Sequence, residues 1–135
     1  YYQKIIDDNN LSKHCLIQNK FIPQEDVKYY YGAADLVVLP YKMIYQSGVL
    51  MMALSYRKLV LASDLEPLSE IISDGKNGFL FETENRSDLS HKLDNILDNL
   101  GSLSSIRESS FELLLTKYDW DYIGRLTKSS YQHVL

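Results

Sequence analysis

A short apolar run followed closely by a predicted helix restricts the possible folds of this chain more than any other stretch. Leu36–Leu39 contains only apolar residues and lies between Asp35 and Pro40, as expected of a short buried strand. Soon after it, Ser47 can cap a helix whose apolar residues continue through Leu54. A buried strand that leads through a loop to the N-terminus of a helix is typical of an anion-binding site.

Apolar runs of the same kind alternate with helical patterns along the rest of the chain. We predict strands at Cys15–Gln18, Leu36–Leu39, Leu59–Ala62 and Gly78–Phe81. Helices are predicted over residues 1–10, from Gln24, from Ser47, from Pro67 to Ile72, over Leu89–Leu100, over Leu103–Leu115 and from Asp119. Apolar strands separated by helices predict an α/β fold, a Rossmann-like parallel sheet flanked by helices.

The length of 135 residues suits a single domain, which we assign to residues 1–135. Four strands do not complete a doubly wound sheet. We therefore expect the first strands of this domain to precede Tyr1 in a longer protein.

Composition excludes several classes of function. A net charge of -4 argues against a nucleic-acid-binding surface, which needs a basic face. The single cysteine, Cys15, cannot form an internal disulfide, and its place in an apolar run predicts burial. The sequence contains no run long and apolar enough to span a bilayer and no signal peptide. We expect a cytoplasmic location, with peripheral association with the inner face of the membrane left open.

Three loops follow predicted strands and should gather at one edge of the sheet. They are Phe21–Gln24, Pro40–Ser47 and Ser63–Pro67. Ligands of parallel α/β sheets bind outside the carboxyl ends of the strands. We predict that the backbone amides of Ser47, Gly48 and Val49 receive an anionic group, because Gly48 lets the backbone come close to a ligand.

An ordered set of short motifs supports this interpretation. The motifs are Phe21-Ile22-Pro23, Asp26-Val27, Tyr30-Tyr31, Ala33-Ala34-Asp35, Val38-Leu39-Pro40-Tyr41, Gln46-Ser47-Gly48-Val49, Ala53, Leu61-Ala62-Ser63, Glu70-Ile71-Ile72, Asp74-Gly75, Asn77-Gly78-Phe79-Leu80 and Tyr118-Asp119-Trp120. In this order they resemble the C-terminal, donor-binding domain of retaining GT-B glycosyltransferases of family 4 (glycosyl transferases group 1). The resemblance covers the chain from Phe21 to its end.

The resemblance implies a function for the chain and for its partners. The domain would bind a UDP- or GDP-linked sugar, and the whole enzyme would move that sugar, with retention, to a saccharide or lipid-linked acceptor. The acceptor would bind the missing N-terminal domain, so the fragment alone would be inactive. The resemblance implies no metal and no other cofactor. The basic residues that meet the donor phosphates would precede Tyr1.

The resemblance also implies which residues bind the substrate, although it assigns no catalytic residue. Tyr41 and Gln46 would contact the sugar. Phe21 and Ile22 would lie against the base, bordered by Lys20 or Gln24. The complete set of implied substrate-binding residues is Phe21, Ile22, Tyr41, Gln46, Ser47, Gly48, Val49 and Met52.

Two apolar residues depart from the family pattern and keep other functions open. Ile44 and Met52 lie where members of the family often carry two glutamates, the second of which meets the donor ribose. A catalytically degenerate glycosyltransferase-like interaction domain is therefore one alternative. A nucleotide-sugar epimerase of the same architecture is another, but it would need carboxylate and histidine partners in the cleft. A receiver-like signalling domain would need an aspartate at a strand end, whereas Asp35 precedes its strand.

The remaining titratable residues are interpreted as structural. Glu66 and Glu70 lie four residues apart and could form an acid–base pair, but Glu70 fits a loop-to-helix junction and Glu66 a solvated position. The three histidines share no metal-ligand spacing and are predicted to lie at the surface. They are His14, His91 and His133.

Overall fold

Helices and strands alternate through the first part of the chain, and helices alone follow. A computed structural model describes residues 1–132, so His133 and its predicted exposure lie outside the described residues. The elements are α1 (Tyr2–Asp8), α2 (Gln24–Ala33), β1 (Leu36–Leu39), α3 (Gly48–Ser55), β2 (Leu59–Ser63), α4 (Glu66–Ser69), β3 (Phe79–Phe81), α5 (Arg86–Asp98), α6 (Ser104–Lys117) and α7 (Trp120–Gln132). A 3₁₀ turn at Leu100–Ser102 joins α5 to α6.

The three strands form one parallel sheet in the order β1-β2-β3. Val37 lies beside Val60 across the first pair, and Leu61 lies beside Phe79 across the second. The predicted α/β fold, a Rossmann-like parallel sheet flanked by helices, is confirmed for these strands. Because all three strands run in the same direction, their carboxyl ends meet at one edge of the sheet.

Strand β2 is buried throughout and organises the core on both sides of the sheet. Its alternate residues point to opposite faces and enter two apolar clusters. The cluster on the α3 side includes Leu50, Ala53, Leu54, Val60 and Ala62. The cluster on the α5 side includes Leu59, Leu61, Phe81 and Ile96. Burying a leucine stabilises a fold by about 1.5–3 kcal/mol, so these contacts fix the strand ends firmly.

The strand predicted at Cys15–Gln18 is not formed, and that prediction is wrong. The segment has no regular structure, and every residue from Leu11 to Lys20 is exposed. An extended segment needs a neighbouring strand to pair its peptide groups. No strand of residues 1–132 pairs with this segment, and the Cys15 N–H instead donates to the carbonyl of Leu11 at 3.0 Å. The predicted burial of Cys15 is wrong for the same reason, because its side chain is exposed.

The helices agree with prediction except at their ends. Helix α4 stops at Ser69 rather than Ile72, although the Ile72 N–H still donates to the Leu68 carbonyl at 2.8 Å. Helix α7 begins beside Asp119, as predicted, because that carboxylate accepts hydrogen bonds from two amides of the first turn. No helix of residues 1–132 combines the length and apolar character needed to cross a membrane.

Candidate functional site

The N-terminus of α3 leaves two backbone donors free at the carboxyl edge of the sheet. Ser47 is the N-cap, and its hydroxyl accepts a hydrogen bond from the Leu50 N–H at 3.1 Å. The Ser47 carbonyl accepts from Met51 at 3.3 Å and starts the helical pattern. Within residues 1–132, the N–H groups of Gly48 and Val49 donate to no backbone or side-chain acceptor. These are the orphan donors that a helix start offers to an anion.

Gly48 is exposed, and the space around it is open. A Cβ built on Gly48 would meet no atom within 4 Å. The loop that follows β1 and the segment that begins with α4 enclose a cavity of about 420 Å³ beside this residue. We call it the α3 cavity; its lining residues are Tyr45, Gln46, Ser47, Gly48, Met51, Pro67, Glu70, Ile71 and Tyr118. A small charged group can therefore approach the free amides from solvent.

The charged groups of the α3 cavity do not themselves favour an anion. Glu70, which is exposed, is the charged side chain in its lining, and no lysine or arginine of residues 1–132 joins it. The positive end of the α3 dipole and its two free amides are the favourable features for a phosphate group. Cations that neutralise a diphosphate would have to come from elsewhere, as the family resemblance implies.

The eight residues predicted to bind substrate do not all lie together. Gln46, Ser47 and Gly48 line the α3 cavity. Val49 and Met52, three residues apart, share the outer face of α3 and are 43% and 40% exposed. The α3 cavity and this outer face adjoin the same helix N-terminus from two sides.

The other predicted residues lie farther from the α3 cavity. Tyr41 lines a separate cavity of about 230 Å³, the strand-end cavity, together with Ser63 and Phe81. Phe21 is 87% exposed and Ile22 is half-buried, and neither lines these two cavities. Their loop follows no strand in residues 1–132, because the strand predicted before it is not formed.

Tyr31 of α2 holds the first turn of α3 in place. Its hydroxyl donates to the carbonyl oxygen of Val49 at 3.4 Å, and its ring stacks on Tyr56 with centroids 5.0 Å apart. Burial, together with the nearby hydroxyls of Tyr41 and Tyr56, raises the pKa of Tyr31 above that of an ordinary tyrosine. Tyr31 therefore stays neutral and keeps its proton for the hydrogen bond at physiological pH.

Sequence reasoning missed several residues of the α3 cavity. Met51 lines it, whereas the neighbouring Met52, which was predicted, lies on the outer face. Tyr118 arrives from the end of α6, and its position in the Tyr118-Asp119-Trp120 motif was the only sequence signal for it. Ile44, at one of the two positions where the family resemblance implies a glutamate, is half-buried and packs against the core. Its apolar character therefore has a structural reason.

The remaining titratable residues singled out in the sequence are exposed where the structure describes them. Glu66 and Glu70 are both exposed, and only Glu70 lines the α3 cavity. His14 and His91 are exposed, which confirms their predicted surface position. No group of three metal-ligating side chains occurs in residues 1–132.

Solved structures of glycosyltransferases share this fold closely. A glycosyltransferase from Rickettsia africae superposes with a TM-score of 0.84 at 21% identity, over 98% of this chain and 35% of its own. The Alr3699/HepE protein of Anabaena, solved in complex with UDP, superposes with a TM-score of 0.84 at 18% identity, over 98% of this chain and 36% of its own. The fold is that of the GT-B glycosyltransferases, over the part that this chain covers.

Sequence comparison then gives the family. The family model described as glycosyl transferases group 1 matches residues 1–112, and the chain belongs to this family. A curated relative, the GDP-mannose:glycolipid 4-beta-D-mannosyltransferase of Xanthomonas campestris pv. campestris, is 33% identical over 104 residues. That alignment covers 77% of this chain and 28% of the relative. The chain therefore spans less than a third of the length of this relative.

Proposed function

We propose that this chain is the donor-binding part of a glycosyltransferase that moves a sugar from a UDP- or GDP-linked donor to a saccharide or lipid-linked acceptor. The observation that carries the proposal is the open N-terminus of α3, where Gly48 and Val49 present two free N–H groups. Family membership supports the reaction class. The names of two similar proteins, which specify GDP-mannose and UDP, support a nucleoside diphosphate as the leaving group.

In this proposal, the chain stabilises the leaving group. When the bond between the anomeric carbon and the phosphate oxygen breaks, negative charge grows on the diphosphate. Fixed amides aimed at that charge need no reorganisation during the reaction. A hydrogen bond to a charged group contributes about 1.5–3 kcal/mol, so two such amides can lower the barrier substantially. The expected retention of configuration belongs to the same proposal and rests on the resemblance to family 4.

The rest of the enzyme would complete the domain and bind the acceptor. Strand β1 has no partner on its outer side within residues 1–132. We propose that further strands of the same domain pair there and that another domain supplies the acceptor site and the missing cations. This chain alone would then bind donor without turning it over.

A degenerate, non-catalytic domain is the second candidate, and Met52 favours it. This side chain is 40% exposed on the outer face of α3, and the family resemblance implies a ribose-binding glutamate at its position. An exposed methionine cannot accept a hydrogen bond from a ribose hydroxyl as a carboxylate does. The two candidates differ in whether the chain binds a nucleoside diphosphate.

Calorimetric titration of the chain with UDP, GDP and ADP tests the proposal. We expect at least one of the three to bind, and Gly48→Glu to weaken that binding at least about tenfold, because a carboxylate would lie at the phosphate position. The fold should survive, since a side chain at Gly48 meets no neighbour. Gly101→Glu is the matched control: it adds the same charge at another open glycine.

Two results would contradict the donor-site assignment. Absence of binding by all three diphosphates at millimolar concentration would favour the interaction domain. Equal affinity of the Gly48→Glu and Gly101→Glu variants would place the phosphates away from α3.

A further inference from the structure

The strand-end cavity lies where all three strands end, outside the α3 cavity. Its lining residues are Pro40, Tyr41, Lys42, Ser63, Phe81, Glu84, Asn85, Arg86 and Leu89. Its inner part is formed by buried side chains: Phe81 is 4% exposed, and Ser63 is buried with its hydroxyl donating to the Leu39 carbonyl at 3.3 Å. Its rim carries the charged side chains.

The rim of the strand-end cavity has one cation more than it has carboxylates. Lys42 forms an ion pair with Glu84, 42 residues later in the chain, and so joins the β1–α3 loop to the β3–α5 loop. The hydrogen bond from Lys42 holds the pKa of Glu84 below its usual range, so this carboxylate is ionised at neutral pH. Among residues 1–132, no carboxylate pairs with Arg86. Arg86 is thus left available for an external anion.

A left-handed residue and two hydrogen bonds fix the conformation of the loop that forms this rim. Glu84 has a φ of 63°, a left-handed conformation that few residues other than glycine adopt. The hydroxyl of Thr83 donates to the Asp64 carbonyl at 3.1 Å, and the Asn85 side chain caps α5 by accepting from Asp88. Conformations of this kind persist only where neighbouring contacts hold them, and they often occur at functional sites.

The size and chemistry of the strand-end cavity indicate a small ring with an anionic substituent. Pockets for drug-sized ligands measure about 300–1,000 Å³, so a cavity of 230 Å³ suits a single sugar unit better than a nucleotide. The ring of Tyr41 offers an apolar face to sugar C–H groups. The Glu84 carboxylate can accept hydrogen bonds from sugar hydroxyls, and the planar guanidinium of Arg86 fits a carboxylate or phosphate.

We propose that the strand-end cavity binds an acidic monosaccharide unit, one that carries a carboxylate or a phosphate, with Arg86 pairing with the anionic group. The proposal rests on the proposed function, because this unit would belong to the saccharide whose reacting end the other domain holds. The β1–α3 loop connects the two sites: Tyr41 and Lys42 at its start line the strand-end cavity, and Gln46 near its end lines the α3 cavity. A saccharide unit held here would lie at the same edge of the sheet as the donor.

Titration of the chain with glucuronate, glucose 6-phosphate and glucose, followed by calorimetry or chemical-shift mapping, tests this proposal. We expect one or both acidic sugars to bind more tightly than glucose. The preferred one tells whether the anion is a carboxylate or a phosphate. Arg86→Ala should weaken acidic-sugar binding about tenfold or more and leave glucose binding unchanged. Arg125→Ala, which removes an exposed arginine on α7, is the matched control and should change neither.

A second variant keeps the test independent of any structural role of Arg86. Glu84→Gln removes the competing carboxylate and frees Lys42, so the affinity for acidic sugars should rise. If the substitution merely damaged the cavity, that affinity would fall instead. Equal binding of glucose and the acidic sugars, or an unchanged affinity in Arg86→Ala, would overturn the proposal. UDP and GDP are titrated in parallel to test the two sites separately. If neither nucleotide binds, the donor site at α3 is contradicted, but the binding of acidic sugars can still be measured.

Discussion

Tyr31 shows how one side chain links packing to the candidate site. Its hydroxyl reaches the carbonyl of Val49, and its ring stacks on Tyr56 at the other end of α3. The same surroundings raise its pKa. A tyrosine of α2 therefore contacts both ends of α3.

The raised pKa of Tyr31 predicts a loss of stability in alkali. Above about pH 10 the unfolded chain loses this proton while the folded chain keeps it, so the free energy of unfolding falls as pH rises. We expect Tyr31→Phe to reduce this fall, measured by urea unfolding at about pH 8 and about pH 11. Tyr29→Phe, at a 65% exposed position, is the control. An equal pH dependence in both variants would contradict the role given to Tyr31.

At the level of single residues, the sequence predicted the site only in part. Ser47 and Gly48 were predictable because capping and backbone approach depend on local chemistry. Which of Met51 and Met52 would line the α3 cavity depends on the rotation of α3 about its axis, which packing against β2 sets. Tyr41, which the resemblance places at the donor sugar, lines the strand-end cavity and not the α3 cavity. Side-chain direction after a strand end depends on tertiary contacts that one sequence does not reveal.

Among the elements, α3 depends most on its cap. It has only eight residues, and a helix of this length is marginal without packing and capping. Ser47→Ala removes the hydroxyl that accepts from Leu50 and should lower the free energy of unfolding by about 0.5–2 kcal/mol. Chemical denaturation provides the measurement.

Ser109→Ala is the control for that experiment. Ser109 is exposed within α6, so its replacement should change stability by no more than about 0.5 kcal/mol. If both substitutions lower the free energy of unfolding by the same amount, the Ser47 hydroxyl does not act as a cap.

The contrast between β2 and the segment at Cys15–Gln18 explains which elements the sequence could predict. Both are short apolar runs, and periodicity treats them alike. Leu59–Ser63 becomes a strand because β1 and β3 pair with it on either side. Cys15–Gln18 has no such partner in residues 1–132 and stays irregular. A strand forms only beside a pairing partner, and the residues of an apolar run do not reveal whether such a partner is present.

For the molecule as a whole, stability is concentrated away from the N-terminus. Between Tyr1 and Lys20 every residue is exposed except Ile6, which is half-buried. Deletion of residues 1–20 should therefore change the free energy of unfolding by less than about 1 kcal/mol. Leu61→Ala, in the fully buried strand β2, should cost about 2–5 kcal/mol.

Hydrogen exchange gives a second measurement of the same distribution. The amides of β2 should exchange most slowly and those of residues 1–20 most rapidly. Comparable protection in the two regions would mean that the N-terminal segment packs more firmly than its exposure indicates.

The exposed thiol of Cys15 has a practical consequence. It is the only cysteine in the chain, and it lies in a segment that lines neither cavity. A maleimide dye would therefore attach at one defined point and report ligand titrations by fluorescence without obstructing either pocket. The same accessibility lets two copies of the chain become covalently linked in air, so such titrations require a reductant that is removed just before labelling.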